Sequence, residues 1–398
     1  MHSPDNYSLH SYGRMIKDRR RSGPFVEALR ALIKPDTVVL EIGTAAGYFA
    51  LLCARLGARR IYAVEPDNAI EVARLCAADN VGSDRITWIK GLSTDIELPE
   101  RVDLVLGDLH GTLPFYNHNI ESMLDARQRH LKPGGSIIPM RDVMRVVPAQ
   151  APHEYAEVEC PWGSNPDELD VSAGRPFVAN LWWRAAKQPA NASDLLAPPA
   201  TWGIIDYRAA TSSKLDGTMQ WTVQCAANMH GYYVWFDGEL ADGIGYSNAP
   251  DLAELIYGRA FFPLEHPVDV RPGDVIETRF SAHVLDGRHL IRWNTRITAA
   301  SGLTLADYRQ STFRSEPVDR GALERTAPDH VPQLDLSGHI DLAILAAMAQ
   351  GNPLSQIAEA IRTAHPGAFA TYAKALERVV RLSLKYGTDA PSRSGTCD

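Results

Sequence analysis

Two acidic residues, Glu41 and Glu65, and a turn that contains glycine have the spacing of a site for a nucleotide-type cofactor. Gly43 and Gly47 flank a turn that follows the apolar run 38–42 and precedes a helical pattern. Glycine has no Cβ, so the backbone of such a turn can approach a ligand closely. Glu65 ends the next apolar run about 20 residues beyond the turn, where a carboxylate can accept hydrogen bonds from both ribose hydroxyls of an adenosine. These residues predict an adenosine-containing cofactor.

The order of small residues in the turn separates two cofactor classes. NAD sites usually carry Gly-x-Gly-x-x-Gly, in which the third glycine packs the helix against the strand. Here the order is Gly-x-Ala-x-Gly, with Ala45 between the two glycines, and it fits S-adenosylmethionine better. An NAD site and an ordinary strand-to-helix turn remain the alternatives for this segment taken alone.

The turn lies within residues 24–147, where strand and helix patterns alternate and predict a parallel sheet with helices on both faces. Ligands bind beyond the carboxyl ends of the strands in such sheets, and Glu41, Glu65 and Asp108 stand at predicted strand ends. We therefore expect a cofactor-binding domain here, with Asp108 as the best candidate to face the second reactant. Strands are predicted at 37–42, 60–64, 86–90, 102–107 and 135–139, and helices at 67–79 and 119–131.

From residue 148 to 314 the pattern changes to frequent strand-like runs separated by turn residues, which predicts an antiparallel β domain. Residues 315–335 are polar and contain several prolines, so we expect a linker. Apolar residues then recur every three or four positions and predict a small helical domain over 336–386, followed by a disordered tail at 387–398. The predicted β strands are 178–184, 219–225, 231–236, 274–284 and 288–298, and the helices are 340–349, 353–363 and 369–384.

The composition is that of an ordinary globular protein of 398 residues, 45% hydrophobic and 22% charged, with a formal net charge of −8. Negative charge argues against a general nucleic-acid binder, which presents a basic face. We recognise no signal peptide and no apolar stretch near the length of a membrane span, so we expect no membrane partner. Five scattered cysteines have no metal-ligand spacing and indicate a reduced, cytoplasmic location without a metal site.

Several segments match one known family in chain order. The segments in the cofactor domain are 7–21, Glu41–Gly47, Ala63-Val64-Glu65-Pro66, 91–103 and Leu131–Pro139. Those in the β domain are 230–237 and 270–274. Through these segments residues 7–300 resemble the protein arginine methyltransferases. The resemblance implies a Rossmann-like class I methyltransferase sheet, an antiparallel β-barrel domain and S-adenosylmethionine as cofactor, which the N-terminal helix 1–23 would cover.

The same resemblance implies roles for individual residues. Arg21 stands where the family's arginine binds the carboxylate of the cofactor, and its planar guanidinium suits that partner. The family dimerises through an arm that residues 162–190 would supply, so we expect a head-to-tail homodimer acting on a peptide or protein substrate. The residues expected at the cofactor are Tyr12, Met15, Arg21, Glu41, Gly43, Thr44, Ala45, Gly47, Glu65, Pro66, Gly91, Leu92, Ser93 and Asp108.

The sequence departs from the family where the methyl acceptor binds. The family holds the guanidinium of arginine between two glutamates nine residues apart, but here Asp108 replaces the first and Asn117 stands at the second. Glu121 arrives four residues late, about one helical turn, and two interpretations stay open: it faces the site, or it is a surface residue at the start of a helix. The family's Thr-His-Trp segment is replaced by a segment that begins with Tyr257. The acceptor is therefore expected to differ from a standard arginine.

Three functions follow from these departures. The favoured one is methyl transfer to another group of a peptide or protein, with a carboxylate of a maturing natural-product peptide as one candidate. For an acceptor that must lose a proton, Asp108, His110 or His118 could act as the base. The alternatives are arginine methylation with Asp108 and Glu121 as the acid pair, and an inactive scaffold that binds the cofactor.

The C-terminal helices add one further expectation. Residues 336–386 are loosely similar to the small, winged-helix-like peptide-binding domains of peptide natural-product pathways. An ordinary helical bundle that packs on the rest of the protein is the alternative.

Overall fold

The computed structural model describes residues 8–116, 118–163, 165, 167–185, 190–285 and 288–387. The chain divides into two compact units between Pro317 and Val318. Asn117 and all but the first residue of the predicted tail 387–398 lie outside the described residues. The first part of the first unit contains α1 (Leu9–Lys17), α2 (Arg19–Leu32), β1 (Val38–Ile42), α3 (Tyr48–Arg55), β2 (Arg60–Glu65), α4 (Ala69–Ala77), β3 (Ile86–Lys90), β4 (Val102–Gly107), α5 (Asn119–Arg129) and β5 (Leu131–Ile138).

These strands form a parallel sheet in the order β3-β2-β1-β4-β5, as the alternating pattern predicts. All five residues of β1 are buried, because parallel sheets are covered on both faces and their strands are apolar throughout. Phe25 of α2 and Phe49 of α3 pack on one face, while Ile120 and Met123 of α5 pack on the other. The two helical layers thus hold the sheet as a rigid support for the residues at its edge.

The strand order reverses direction between β1 and β4, which are neighbours in the sheet. The chain crosses to opposite sides after these two strands, so a crevice opens beyond their carboxyl ends. Glu41 lies near the end of β1, and Asp108 directly follows β4. The topology therefore brings these residues to one edge although 67 positions separate them in the sequence.

The N-terminal helical region differs from the expected single helix over 1–23. It contains two helices, because the Asp18 side chain accepts hydrogen bonds from the backbone amides of Arg20 and Arg21 and starts α2 there. Helix α2 then continues to Leu32, past the predicted domain boundary at residues 23 and 24.

The predicted antiparallel β domain is confirmed and consists of two sheets. One sheet has the order β7-β12-β10-β6-β8, with β11 paired to β10, and the other has the order β15-β14-β13-β9. Trp202, Phe262 and Phe280 are among the buried aromatic side chains of its core. The elements are β6 (Arg141–Ala149), α6 (Pro152–Gly163), α7 (Arg175–Val178), β7 (Trp183–Arg184), β8 (Ala200–Asp206), β9 (Leu215–Thr222), β10 (Ala227–Ala241), β11 (Ile244–Ser247), β12 (Ala260–Val270), β13 (Val275–Leu285), β14 (Arg288–Thr298) and β15 (Thr304–Ser311).

The predicted strand at 178–184 is wrong over most of its length. Its first residue ends the short helix α7, and only Trp183 and Arg184 are in β conformation. Pro176 stands at the start of α7, where its fixed φ and missing N–H favour a helical first turn. Strands β6, β8, β11, β12 and β15 were not predicted.

The second unit contains α8 (Arg320–Arg325), α9 (Leu336–Ala349), α10 (Leu354–Ala364) and α11 (Tyr372–Tyr386). The three predicted helices are confirmed as α9, α10 and α11, and they share a core that includes Ile344, Ile361 and Val379. The predicted linker 315–335 also holds the one-and-a-half turns of α8, which begin at an Asp319 cap. Among the described residues, no helix combines the length and apolar character that a bilayer crossing needs.

Candidate active site

A cavity of about 360 Å³ opens at the carboxyl ends of β1, β2 and β4. Its size lies within the range of small-molecule sites. Thirteen of the fourteen residues expected at the cofactor line it, namely Tyr12, Met15, Arg21, Glu41, Gly43, Thr44, Ala45, Glu65, Pro66, Gly91, Leu92, Ser93 and Asp108. The exception is Gly47.

The two glycines of the turn have different roles. Both have positive φ, 72° at Gly43 and 83° at Gly47, which other residues rarely adopt. Gly43 lines the cavity, as expected. A Cβ on Gly47 would instead lie 2.8 Å from the Ala73 Cβ and 2.9 Å from the Trp88 ring. The expected approach of Gly47 to the ligand is therefore wrong, because this glycine allows close packing behind the turn.

Glu65 is held at the cavity by the backbone of both neighbouring turns. One carboxylate oxygen accepts from the Ala45 amide at 2.9 Å, and the other accepts from the Asp67 amide at 2.9 Å. Burial raises the pKa of Glu65, and these two amides oppose the rise. Each carboxylate oxygen has a second lone pair, so the group retains acceptors for a pair of ligand hydroxyls.

Glu41 lies deeper, with 3% of its surface exposed. The Thr44 hydroxyl donates to Glu41 Oε2 at 2.7 Å, which ties the end of β1 to the glycine turn. Burial raises the pKa of Glu41 to about 7, and the Thr44 hydrogen bond opposes that rise. This carboxyl group therefore supports the turn and titrates close to neutral pH.

Arg21 and Asp108 form a buried ion pair at the wall of the cavity. Arg21 also donates to the Tyr257 hydroxyl at 3.1 Å and to the Met15 carbonyl at 3.2 Å, while the Tyr257 hydroxyl donates to Asp108. Burial opposes ionisation of Asp108, but Arg21, His110 and Tyr257 together outweigh it and bring the pKa of Asp108 down to about 2. The guanidinium lies 5.5 Å from the centre of the Phe49 ring, which keeps water from one side of it.

Tyr116, His118 and Ser122 form a further part of the cavity wall, named the acceptor side because the acceptor is expected there. His118 adopts a left-handed conformation with φ of 55° and caps α5. Ser122 follows it by four positions and so lies on the same side of the helix. His118, a candidate base from the sequence, thus lines the cavity.

Glu121 is turned away from the cavity. It does not line the wall, and its Oε1 lies 3.6 Å from His289 Nε2 on β14. A helical residue is rotated by about 100° from the next one, so Glu121 faces the β domain while Ser122 faces the cavity. The expected pairing of Glu121 with Asp108 across the acceptor is therefore not formed.

His110 also lies behind the cavity wall and is 1% exposed. Its Nε2 is 2.8 Å from Asp142 Oδ2, and its Nδ1 is 3.4 Å from Asp108 Oδ1. Burial opposes its charge, but Asp142 and Asp108 raise the pKa of His110 to about 9. Direct contact of His110 with an acceptor is thus excluded in this arrangement, and its partner Asp142 was not predicted.

With the geometry of the site established, known proteins give a consistent comparison. Residues 39–135 match the family described as "Methyltransferase domain". The probable protein arginine N-methyltransferase 6 of Arabidopsis thaliana is 29% identical over 250 residues, which cover 60% of this chain and 56% of that protein. Protein arginine N-methyltransferase 2 of Homo sapiens is 28% identical over 253 residues, which cover 61% and 58%. The chain thus spans a little over half the length of these relatives.

Solved structures extend the comparison to about three quarters of the chain. Protein arginine methyltransferase 10 of Arabidopsis thaliana matches 76% of this chain and 97% of its own, with 22% identity and a TM-score of 0.66. The PRMT1 enzyme-prozyme heterotetrameric complex of Trypanosoma brucei with AdoHcy matches 77% of this chain with 22% identity and a TM-score of 0.67. The chain carries a class I methyltransferase domain and has the fold of the protein arginine methyltransferases.

The cofactor of such a methyltransferase domain is S-adenosylmethionine, and the cavity residues fit it. Glu65 would offer acceptors to the ribose hydroxyls, and Arg21 would offer a cation for the carboxylate of the amino-acid end. The bound cofactor would supply an electrophilic methyl group on a sulfonium sulfur. The chain's own contribution is to bind and orient the two reactants.

Several site residues were missed because they come from distant parts of the chain. Tyr257 reaches Asp108 and Arg21 from a position 149 residues further on. Its one sequence signal is its place in the segment where the family has Thr-His-Trp. Leu109, Tyr116 and Ser122 line the cavity without any pattern that singles them out.

Proposed function

We propose that this protein transfers a methyl group from S-adenosylmethionine to a group of a peptide or protein other than the guanidinium of a standard arginine. A carboxylate is the acceptor that fits best. The observation that carries this proposal is that neither acid of the expected pair presents a free carboxylate to the cavity. Asp108 is bound by Arg21 and Tyr257, and Glu121 lies beside His289.

A guanidinium acceptor makes demands that this cavity does not meet. It is a cation at neutral pH and its lone pairs are delocalised, so free carboxylates are needed to hold it and to concentrate electron density on one nitrogen. The described wall has three carboxylates, Glu41, Glu65 and Asp108. Glu41 binds Thr44, Glu65 serves the turn and the ribose, and Asp108 is paired.

A carboxylate acceptor makes smaller demands. It is already an anion and needs no base, so correct positioning for an in-line displacement is the main requirement. The side chains of His118 and Ser122 on the acceptor side carry N–H and O–H groups that a carboxylate can accept from. The acceptor face thus favours an anion over a cation.

Arginine methylation is the second candidate, because the relatives are named protein arginine N-methyltransferases. It requires α5 to rotate so that Glu121 leaves His289 and meets Asp108. The third candidate is an inactive scaffold. The complete set of residues expected to bind the methyl donor argues against it. The role of residues 336–386 in holding a peptide, and a cytoplasmic location, stay predictions.

The test uses S-adenosylmethionine with a labelled methyl group, the full-length protein and a peptide-rich lysate of its own source. The labelled product is treated with mild base. Methanol released from the product would identify a methyl ester and support the proposal. A base-stable label would point to nitrogen or ether methylation instead.

The Glu121→Gln variant separates the first two candidates. We expect its turnover to equal that of the wild type, because Glu121 lies outside the cavity. The control is Glu277→Gln on the exposed face of β13. A large loss in Glu121→Gln, with no loss in the control and a base-stable label, would establish arginine methylation. Cofactor binding without any labelled product would support the scaffold.

A further inference from the structure

A line of buried polar side chains leads from the cofactor cavity into the protein. Arg21 pairs with Asp108, Asp108 faces one ring nitrogen of His110, and Asp142 faces the other. The exposed fractions of Arg21, His110 and Asp142 are 6%, 1% and 0%. These groups are thus shielded from water, and each depends on its neighbours for compensation of its charge.

The line continues to the helix that carries the acceptor side. The Tyr207 hydroxyl donates to Asp142 Oδ2 at 2.7 Å, and the Asn119 amide donates to the Tyr207 oxygen at 3.0 Å. Asn119 is the first residue of α5 and also donates to the Pro114 carbonyl at 3.0 Å. The start of α5, next to His118, is therefore fixed by the same network that ends at Arg21.

The geometry sets the charge of His110. A neutral imidazole has a single N–H, yet both ring nitrogens of His110 face carboxylate oxygens, at 2.8 Å and 3.4 Å. Both contacts are favourable only when the ring is an imidazolium. The ring also stacks on Phe236, with 4.9 Å between centroids and 8° between planes. Two cations and two anions therefore alternate along the line.

Two carboxylates compete for Arg21. One belongs to Asp108, which Arg21 now binds, and the other belongs to the amino-acid end of the cofactor. If Arg21 turned to the cofactor, Asp108 would lose its ion pair in a buried place. Such a group either costs several kcal/mol or takes up a proton. A second cation beside Asp108 removes this conflict.

We propose that His110 is a positioning residue whose imidazolium neutralises Asp108, so that Arg21 can exchange Asp108 for the carboxylate of the cofactor. This inference rests on the proposed use of S-adenosylmethionine. His110 touches no reactant, and it acts through Asp108 and Arg21. The ionisable groups that face its ring are Asp108, Asp142, Tyr246 and Tyr257, with Arg21 behind Asp108 and Tyr207 behind Asp142.

The experiment compares wild type and His110→Gln in the full-length protein by calorimetry. Two probes are used: S-adenosylhomocysteine, which has the amino-acid carboxylate, and 5′-methylthioadenosine, which lacks it. We expect His110→Gln to weaken S-adenosylhomocysteine at pH 8 by about tenfold or more, the equivalent of one hydrogen bond to a charged group. The affinity for 5′-methylthioadenosine should be unchanged.

The pH dependence of S-adenosylhomocysteine binding distinguishes this role of His110 from a purely structural one. In His110→Gln, Asp108 must take up a proton when Arg21 turns to the ligand. S-adenosylhomocysteine should then bind more weakly at pH 8 than at pH 6, with one more proton taken up than by wild type. Buffers of different ionisation enthalpy measure this number directly.

Equal losses for both probes, or no loss for either, would overturn the proposal. The control is His330→Gln, an exposed residue of the second unit, which should bind like wild type. If His110→Gln does not fold, the double variant His110→Gln/Asp142→Asn keeps the local charge balanced and carries the same expectation. A wild type that binds neither probe would instead refute the proposed function.

Discussion

The stability of the first unit should fall in two separate steps as the pH rises. Glu41 has a pKa of about 7, above its ordinary value, because burial disfavours its charged form. The contribution of Glu41 to the unfolding free energy is complete below about pH 4.5 and is lost as the pH rises through about 7. The pKa of His110, about 9, is raised above its ordinary value by Asp142 and Asp108 against the effect of burial. Its contribution is complete below about pH 6.5 and is lost as the pH rises through about 9.

The structure sets the size of the first step. One pKa unit corresponds to about 1.4 kcal/mol, so the shift of Glu41 corresponds to about 3 kcal/mol of unfolding free energy. The Glu41→Gln variant cannot ionise and keeps an oxygen that accepts from Thr44, now found at 2.7 Å. It should therefore lose the step between pH 4.5 and 7 and keep the step between pH 6.5 and 9.

Urea unfolding followed by tryptophan fluorescence measures these steps. All eight tryptophans precede residue 318, so the signal reports the first unit alone. Glu277→Gln, an exposed control, should show both steps. An unfolding free energy of the wild type that stays constant between pH 5 and 7.5 would refute the reasoning. So would a Glu41→Gln variant with an unaltered first step.

Two further predictions concern the cofactor and the assembly. Glu65→Gln should lower the unfolding free energy by about 1–3 kcal/mol and weaken the binding of S-adenosylhomocysteine at least tenfold, because one amide oxygen cannot accept from both the Ala45 and Asp67 amides. Urea unfolding and calorimetry measure the two effects. An unchanged affinity would contradict the role of Glu65. Leu169 lies in the expected arm and its side chain is 65% exposed, so Leu169→Asp should convert the proposed homodimer to a monomer in light scattering. The control Leu334→Asp should leave the dimer intact. A Leu169→Asp dimer that persists would exclude the arm around Leu169 as the interface.

The donor half of the site was predictable because its signals are local. A strand, a glycine turn and an acid at the next strand end all lie within the 28 residues 38–65, and the topology of a parallel sheet places them at one edge. The resemblance to a known family added Arg21, which has no local signal beyond a basic helix start. Gly47 was misjudged because positive φ serves close packing as well as ligand approach, and the sequence does not distinguish the two.

The acceptor half was less predictable because its contacts are remote. Tyr257 and Asp142 meet the segment 108–110 through the fold of the β domain, and neither stands in a pattern with it. His110 was a reasonable candidate base by residue type and position. Its position between Asp142 and Asp108 excludes that role, because a histidine between two carboxylates is a cation and offers no lone pair.

The position of Glu121 completes the argument about the acceptor. The four additional residues before it move the acid into the first turn of α5, where it lies beside His289 instead of Asp108. The network through Asn119, Tyr207 and Asp142 fixes the start of that helix. Rotating α5 to present Glu121 would break these buried hydrogen bonds, each worth about 1 kcal/mol or more. The helix start that holds His118 at the cavity thus also keeps the second acid out of it.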